Sequence, residues 1–101
     1  MKIEHLGIAV KSLENADLLF SKLLGAEPYK HETVEREGVT TSFYKTGESK
    51  IELLEASNPE SPIAKFIEKR GEGIHHIALG VENIAKEVER LKKEGFIFIS
   101  E

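Results

Sequence analysis

Stretches of apolar and β-branched residues, separated by turn-forming residues, predict a series of strands along this chain. The predicted strands cover residues 3–10, 39–46, 50–55 and 74–81, with a polar extended segment at 27–37 and the start of a last strand at 96–99. Gly47 and Ser49 lie between two of these strands and predict a hairpin turn. The chain therefore has enough strands to form a sheet.

Three other segments repeat their apolar residues every three or four positions, which is the period of a helix. Each follows a residue that commonly caps helices and stops at a glycine: Ser12 to Gly25, Ser61 to Gly71 and Asn83 to Gly95. The order of elements is β-α-β-β-β, a short helix, and then β-α-β. The predicted fold class is α+β, and 101 residues suit a single domain.

An internal repeat relates the two ends of the chain. An offset of 71 residues superimposes HLGIAV at residues 5–10 on HIALGV at residues 76–81. The match continues into the helices that follow, where Leu13 falls on Ile84. The chain thus contains two copies of a strand–helix unit, and each copy begins with a histidine.

Side chains alternate between the two faces of a strand, so the repeat places each histidine on a face of small residues. His5 shares its face with Gly7 and Ala9, and the face of His76 carries only alanine and glycine beyond it. The bulky residues of both strands are expected to pack against the helices. The small residues leave room for a cavity around the two histidines. The alternative is two unrelated histidines, each bonded to a backbone carbonyl.

Glu52 bears on the same question because it lies in a strand that is expected to be central, on the face of Leu54. A buried carboxylate is costly unless it is paired, protonated or bound to a metal. Two imidazoles and one carboxylate suit Zn²⁺, Co²⁺, Mn²⁺, Ni²⁺ or Fe²⁺. The alternative is an edge strand with Glu52 in solvent.

Other candidate residues have simpler interpretations. His75 is predicted to lie on the opposite face from His76 and to be structural, and His31 is predicted to lie at the surface. A basic cluster at residues 65–70 consists of Lys65, Lys69 and Arg70. It either complements the dipole of a helix C-terminus or contacts an anionic ligand such as a nucleotide phosphate.

Composition excludes several classes of protein. The chain has no cysteine, which excludes disulfides, thiolate zinc sites and a cysteine nucleophile. Its formal net charge is -4 and neither half is strongly basic, so we expect no nucleic-acid partner. No apolar stretch is long enough for a transmembrane helix or a signal peptide, so we expect no membrane partner and a cytoplasmic location.

The repeated strand, KIELLE at residues 50–55 and SPIAKFIEKRGEGIHHIA at residues 61–78 resemble methylmalonyl-CoA epimerase. That family belongs to the vicinal oxygen chelate superfamily, which includes glyoxalase I. The resemblance runs from Lys2 onward and implies paired βαβββ modules around one metal site. A single glyoxalase-like domain would then comprise a first module at 1–56, a connecting helix at 57–73 and an incomplete second module at 74–101.

Carried over residue by residue, the resemblance implies that His5, Glu52 and His76 are the ligands of a divalent metal ion. They are the residues that strand alternation also selects. The implied metal is Co²⁺, Mn²⁺, Zn²⁺ or Ni²⁺, and the implied substrate is an acyl-CoA. The implied reaction interconverts (R)- and (S)-methylmalonyl-CoA by removing the proton next to the thioester through a metal-stabilised enolate.

Two positions of the family have no counterpart in this sequence. The family's fourth ligand is a glutamate in two further strands, and an acid/base carboxylate falls near Thr41, which cannot transfer the proton. The acid and base are therefore not assigned. A glyoxalase-type lyase and a non-catalytic binding module of the same fold remain as alternatives. A small core and an open strand edge at 96–99 predict a homodimer.

Overall fold

The computed structural model describes residues 1–99 and forms one five-stranded mixed sheet with helices on both faces. The elements are β1 (Lys2–Ala9), α1 (Leu13–Leu24), β2 (Lys30–Val34), a 3-10 turn (Glu35–Glu37), β3 (Val39–Thr46), β4 (Ser49–Ala56), α2 (Pro62–Arg70), β5 (Gly73–Gly80) and α3 (Ile84–Lys93). The strand order is β2-β3-β4-β1-β5. β1 pairs with β4 in parallel and with β5 in antiparallel orientation. The two copies of the repeated strand, β1 and β5, therefore lie side by side.

The three helices begin where the sequence predicts. The side chains of Ser12, Ser61 and Asn83 each accept a hydrogen bond from the backbone N–H three residues later, which satisfies one free donor of the first turn. Gly25 ends α1 in the left-handed region at φ 70°, a conformation that glycine adopts at low cost. The predicted caps are therefore confirmed.

The two faces of the sheet carry two separate apolar clusters. Under α1, the cluster is centred on Val10, Leu13, Tyr44 and Leu53. Under α2, it is centred on Ala9, Val39, Leu54 and Ile63. The bulky face of β1 thus packs against α1 as predicted, and α2 covers the far end of the histidine face.

The second copy of the repeat packs less completely than predicted. Ile77 and Leu79 on β5 are each 55% exposed, because α3 makes few contacts with the sheet. The predicted strand at 96–99 is wrong, since these residues follow α3 as irregular chain. Gly95 has φ 96° and turns the chain, and the N–H of Phe96 bonds back to the end of α3. No helix within residues 1–99 is long and apolar enough to cross a membrane.

Candidate metal centre

Three side chains converge above Gly7 on β1, between β4 and the edge strand β5. In the strand pairing, Gly7 of β1 lies beside Glu52 on β4 and beside His76 on β5. His5 lies two residues earlier on β1 and projects from the same face. A Cβ atom on Gly7 would lie 2.2 Å from Cε1 of His76. The missing side chain at Gly7 therefore leaves the space in which the other three meet.

The structure brings together the three residues that the sequence selects. One ligand atom from each of His5, Glu52 and His76 lies within 4.8 Å of the others. The Nε2 atoms of His5 and His76 are 3.0 Å apart, and His5 Nδ1 is 3.5 Å from Glu52 Oε2. The side chains of His5 and Glu52 are only 20% and 15% exposed. The cluster is thus largely shielded from water, while its role as a metal site stays a prediction.

Burial shifts two of these groups toward their neutral forms. Burial raises the pKa of Glu52, and it lowers the pKa of His76, which the neighbouring His5 and His75 rings lower further. Both shifts have the same cause, because a charge without a partner is poorly solvated here. A cation would stabilise the Glu52 carboxylate, and a neutral His76 has a lone pair to offer.

The donor set fits a divalent transition metal. Two imidazole nitrogens and one carboxylate oxygen form the ligand set that non-haem iron, zinc and similar ions accept. Nitrogens 3.0 Å apart can both lie within about 2.0–2.1 Å of one ion. His5, Glu52 and His76 would hold such an ion and leave further coordination positions for other oxygens.

The prediction that His75 points away from His76 is wrong. His75 Nδ1 lies 3.0 Å from His76 Nδ1, and the His75 ring meets Phe66 of α2 edge-on with centroids 4.9 Å apart. The pairing of β5 with β1 passes from His76 directly to Ile74, so His75 is an extra, bulged residue. A bulge restarts the alternation of faces, which a strict two-residue period cannot anticipate.

Glu4 is a neighbour of the site that the sequence analysis missed. Its Oε1 lies 2.6 Å from His5 Nδ1 and its Oε2 lies 3.0 Å from Lys50 Nζ. The hydrogen bond with His5, followed by the one with Lys50, lowers the pKa of Glu4. The internal repeat contained a signal for Glu4. The offset of 71 residues that superimposes the two histidines also superimposes Glu4 on His75, so each histidine follows a residue with a polar side chain.

Two cavities share His75 as a lining residue, and His76 of the cluster lines one of them. One of about 360 Å³ is lined by apolar residues of β3, β4 and α2 together with Arg36, Glu37, His75 and His76. The other, of about 520 Å³, is lined by Lys65, Phe66, Glu68, Lys69, Arg70 and His75. The basic cluster at residues 65–70 thus shares a cavity with His75, which contacts His76 of the candidate metal centre.

The other candidates lie where the sequence places them. His31 is exposed on β2 and its Nε2 is 3.1 Å from Asp17 on α1, so the surface prediction is confirmed. Thr41 is buried in β3 and pairs with Leu54. Thr41 supplies no acid or base to the histidine face.

A sequence profile of the Glyoxalase/Bleomycin resistance protein/Dioxygenase superfamily matches residues 4–101. This chain belongs to that superfamily. The predicted α+β, glyoxalase-like fold class is therefore confirmed. The match includes both copies of the repeated strand, β1 and β5.

Known members of the superfamily include epimerases that resemble this chain closely. It is 41% identical to the ethylmalonyl-CoA/methylmalonyl-CoA epimerase of Cereibacter sphaeroides over 93% of this chain and 71% of that one. The chain spans 66% and 57% of the length of two other curated relatives. The resemblance to methylmalonyl-CoA epimerase is thus confirmed.

Solved structures of the superfamily agree with the fold. A hypothetical protein from Bacillus halodurans C-125 superimposes with a TM-score of 0.91 at 45% identity, over 98% of this chain and 72% of that one. A methylmalonyl-CoA epimerase from Streptomyces coelicolor, in complex with 2-nitronate-propionyl-CoA, gives a TM-score of 0.83 at 27% identity. That match covers 99% of this chain and 74% of the epimerase.

Proposed function

We propose that this chain is a metal-dependent epimerase that interconverts (R)- and (S)-methylmalonyl-CoA. The observation that carries the proposal is the cluster of His5, Glu52 and His76 in a chain whose relatives include methylmalonyl-CoA epimerases. His76 of the cluster lines a cavity of about 360 Å³ beside α2, while the side chains of His5 and Glu52 are largely buried. The cluster is thus accessible to a small substrate without being fully exposed to water.

The reaction explains the choice of ligands. Removing the proton between a thioester and a carboxylate leaves negative charge on the thioester oxygen, and a bound divalent cation supplies positive charge there. The neutral imidazoles of His5 and His76 would leave more of that positive charge uncompensated than carboxylates would. Epimerisation also needs a base on one side of the carbon and an acid on the other.

The basic cluster at residues 65–70 would bind the phosphates of the acyl-CoA. Within residues 1–99, no carboxylate lies within ion-pair distance of Lys65, Lys69 or Arg70. Lys65, Lys69 and Arg70 thus form a group of three unpaired cations on one helix of a chain whose net charge is -4. Because their cavity shares His75 with the cavity that His76 lines, one ligand could extend from the basic cluster to the metal centre.

Deuterium uptake at the methylmalonyl carbon in D₂O tests the proposal directly. We expect uptake with Co²⁺ and none after treatment with a chelator. His76→Ala should lose most of its metal affinity and all uptake, while His31→Ala, a change at an exposed histidine remote from the cluster, should behave as the unmodified chain does. Metal binding without uptake would instead support a non-catalytic binding module.

A further inference from the structure

The residue before each ligand histidine lies in a break of the strand pairing. Along β1, Ile3 pairs with Leu79 and His5 with Ala78, so Glu4 is an extra residue. Along β5, the extra residue is His75, as described above. The two bulges are therefore one offset of 71 residues apart, like the histidines that follow them.

Each bulge turns a side chain that would otherwise face away toward the ring of its neighbour. Glu4 Oε1 reaches His5 Nδ1 at 2.6 Å, and His75 Nδ1 reaches His76 Nδ1 at 3.0 Å. In both cases the contact is to Nδ1. The two Nε2 atoms face each other across the space above Gly7.

These contacts determine which ring nitrogen is available as a ligand. A carboxylate only accepts hydrogen bonds, so His5 Nδ1 must carry a hydrogen and donate a hydrogen bond to Glu4. The Nε2 atom of a neutral His5 then keeps its lone pair. If His76 donates from Nδ1 to His75 Nδ1, its Nε2 is free in the same way.

We infer that Glu4 and His75 are positioning residues that hold His5 and His76 in the ring orientation and tautomer that bind metal through Nε2. The inference rests on the proposed metal centre. Partners of this kind commonly orient metal-binding histidines in proteins. Glu4 is itself fixed by Lys50, and His75 by its edge-on contact with Phe66.

Leucine and amide substitutions separate this role from a general effect on folding. Leu at either position removes the acceptor, whereas Glu4→Gln and His75→Asn place an amide oxygen at a similar distance along the side chain. We expect Glu4→Leu and His75→Leu to weaken Co²⁺ binding by about 10–100-fold each. The amide variants should recover most of that loss, and the two leucine effects should multiply in the double variant because each acts on a different ligand.

The affinity for Co²⁺ is measured from the visible absorption of the bound ion, with the thermal unfolding of the metal-free chain as the control for folding. Glu48→Leu, at an exposed turn, is the matched control for Glu4→Leu. Leucine variants that bind Co²⁺ within about twofold of the unmodified chain, while His76→Ala loses it, would overturn the positioning role alone. If the unmodified chain binds no Co²⁺, the metal centre and the positioning role both fail.

Discussion

At the scale of single residues, Gly7 determines whether the candidate site can exist. It lies between Glu52 and His76 in the sheet, and the space above it is filled by the His76 ring. A methyl group at this position would overlap the ring outright. A strand glycine usually weakens a sheet, so its presence in β1, which is paired on both sides, reflects the close approach of a side chain.

We expect Gly7→Ala to fold but to lose metal affinity by at least about tenfold, because the His76 ring must rotate away from the new methyl group. Gly80→Ala is the matched control, since its methyl group would meet nothing closer than 3.6 Å. Metal titration of both variants, with circular dichroism to verify the fold, makes the comparison. Equal affinities in the two variants would show that His76 is not a ligand.

The alternation of faces was sufficient to select His5, Glu52 and His76, because all three lie in regularly paired stretches around Gly7. It failed for Glu4 and His75, since a bulge adds one residue without any marker in a pattern of apolar and polar positions. The three residues of the candidate metal centre were therefore predictable from periodicity. The two residues that contact the His5 and His76 rings, Glu4 and His75, became visible only with the strand register.

At the scale of elements, α1 is attached to the sheet by a polar cluster as well as by apolar packing. Asp17 on α1 accepts hydrogen bonds from the buried side chains of Ser42 at 2.9 Å and Tyr44 at 2.8 Å. Ser21 lies within 3.3 Å of the same phenol oxygen. A buried group of this kind is costly to leave without partners, so it fixes the position of α1 along β3.

We predict that Tyr44→Phe lowers the free energy of unfolding by about 1–2 kcal/mol, because Asp17 loses a hydrogen bond in a buried place. Tyr29→Phe should change it little, since Tyr29 is 48% exposed. Chemical denaturation of the two variants makes the measurement. A larger loss for Tyr29→Phe would contradict the assigned role of the phenol.

Burial also raises the pKa of the Tyr44 phenol above its ordinary value of 10.0. The folded chain then holds this proton more tightly than the unfolded chain does. The protonated Tyr44 phenol therefore stabilises the folded chain below pH 10, and this contribution is lost as the pH rises through the pKa of Tyr44 in the folded state. In the Tyr29→Phe variant Tyr44 is the only tyrosine. Ultraviolet absorption should therefore show the Tyr44 phenolate forming above pH 10, at the same pH at which the chain unfolds.

The helices and most strands were predictable because their signals are local. Caps such as Ser61 and the alternation within β4 depend on residues a few positions apart. The predicted strand at 96–99 was wrong for a non-local reason. An apolar stretch becomes a strand only beside a partner, and within residues 1–99 no other strand lies next to it.

At the scale of the whole molecule, an apolar surface on β5 and α3 stays uncovered. Ile77 and Leu79 are half exposed on the edge strand, and Ile84 of α3 is 73% exposed. Apolar surface at a sheet edge favours association with another chain. The homodimer therefore stays a prediction. The sheet edge expected to take part is now β5 and not residues 96–99.

We expect the chain to dimerise with increasing concentration and Leu79→Lys to remain monomeric under the same conditions, because the charge would be buried between the copies. Leu23→Lys on α1, where the side chain is 70% exposed, is the matched control and should dimerise normally. Sedimentation velocity resolves the two states. Association that Leu23→Lys abolishes and Leu79→Lys leaves intact would place the interface on α1.

The basic cluster at residues 65–70 makes a separate prediction for the substrate. We expect the double variant Lys65→Glu, Lys69→Glu to raise KM for methylmalonyl-CoA about tenfold with little change in kcat, since exposed charge pairs contribute modestly each. KM for methylmalonyl-pantetheine, which lacks the nucleotide phosphates, should not change. Lys86→Glu on α3 is the control. An equal rise in KM in that variant would show that the effect comes from the net charge and not from the basic cluster.

The pairing of β5 with β1 alone has a consequence for the order of the chain. His5 and His76 are 71 residues apart, and among residues 1–99 β5 has a strand neighbour on one side only. An ion held between them would join distant parts of the sequence as a cross-link does, and a loop of this length corresponds to about 4 kcal/mol of chain entropy. The proposed metal ion would thus also stabilise the pairing of the edge strand β5 with β1. Amide hydrogen exchange in β5 should slow on metal addition by more than exchange in β3, which is paired on both sides.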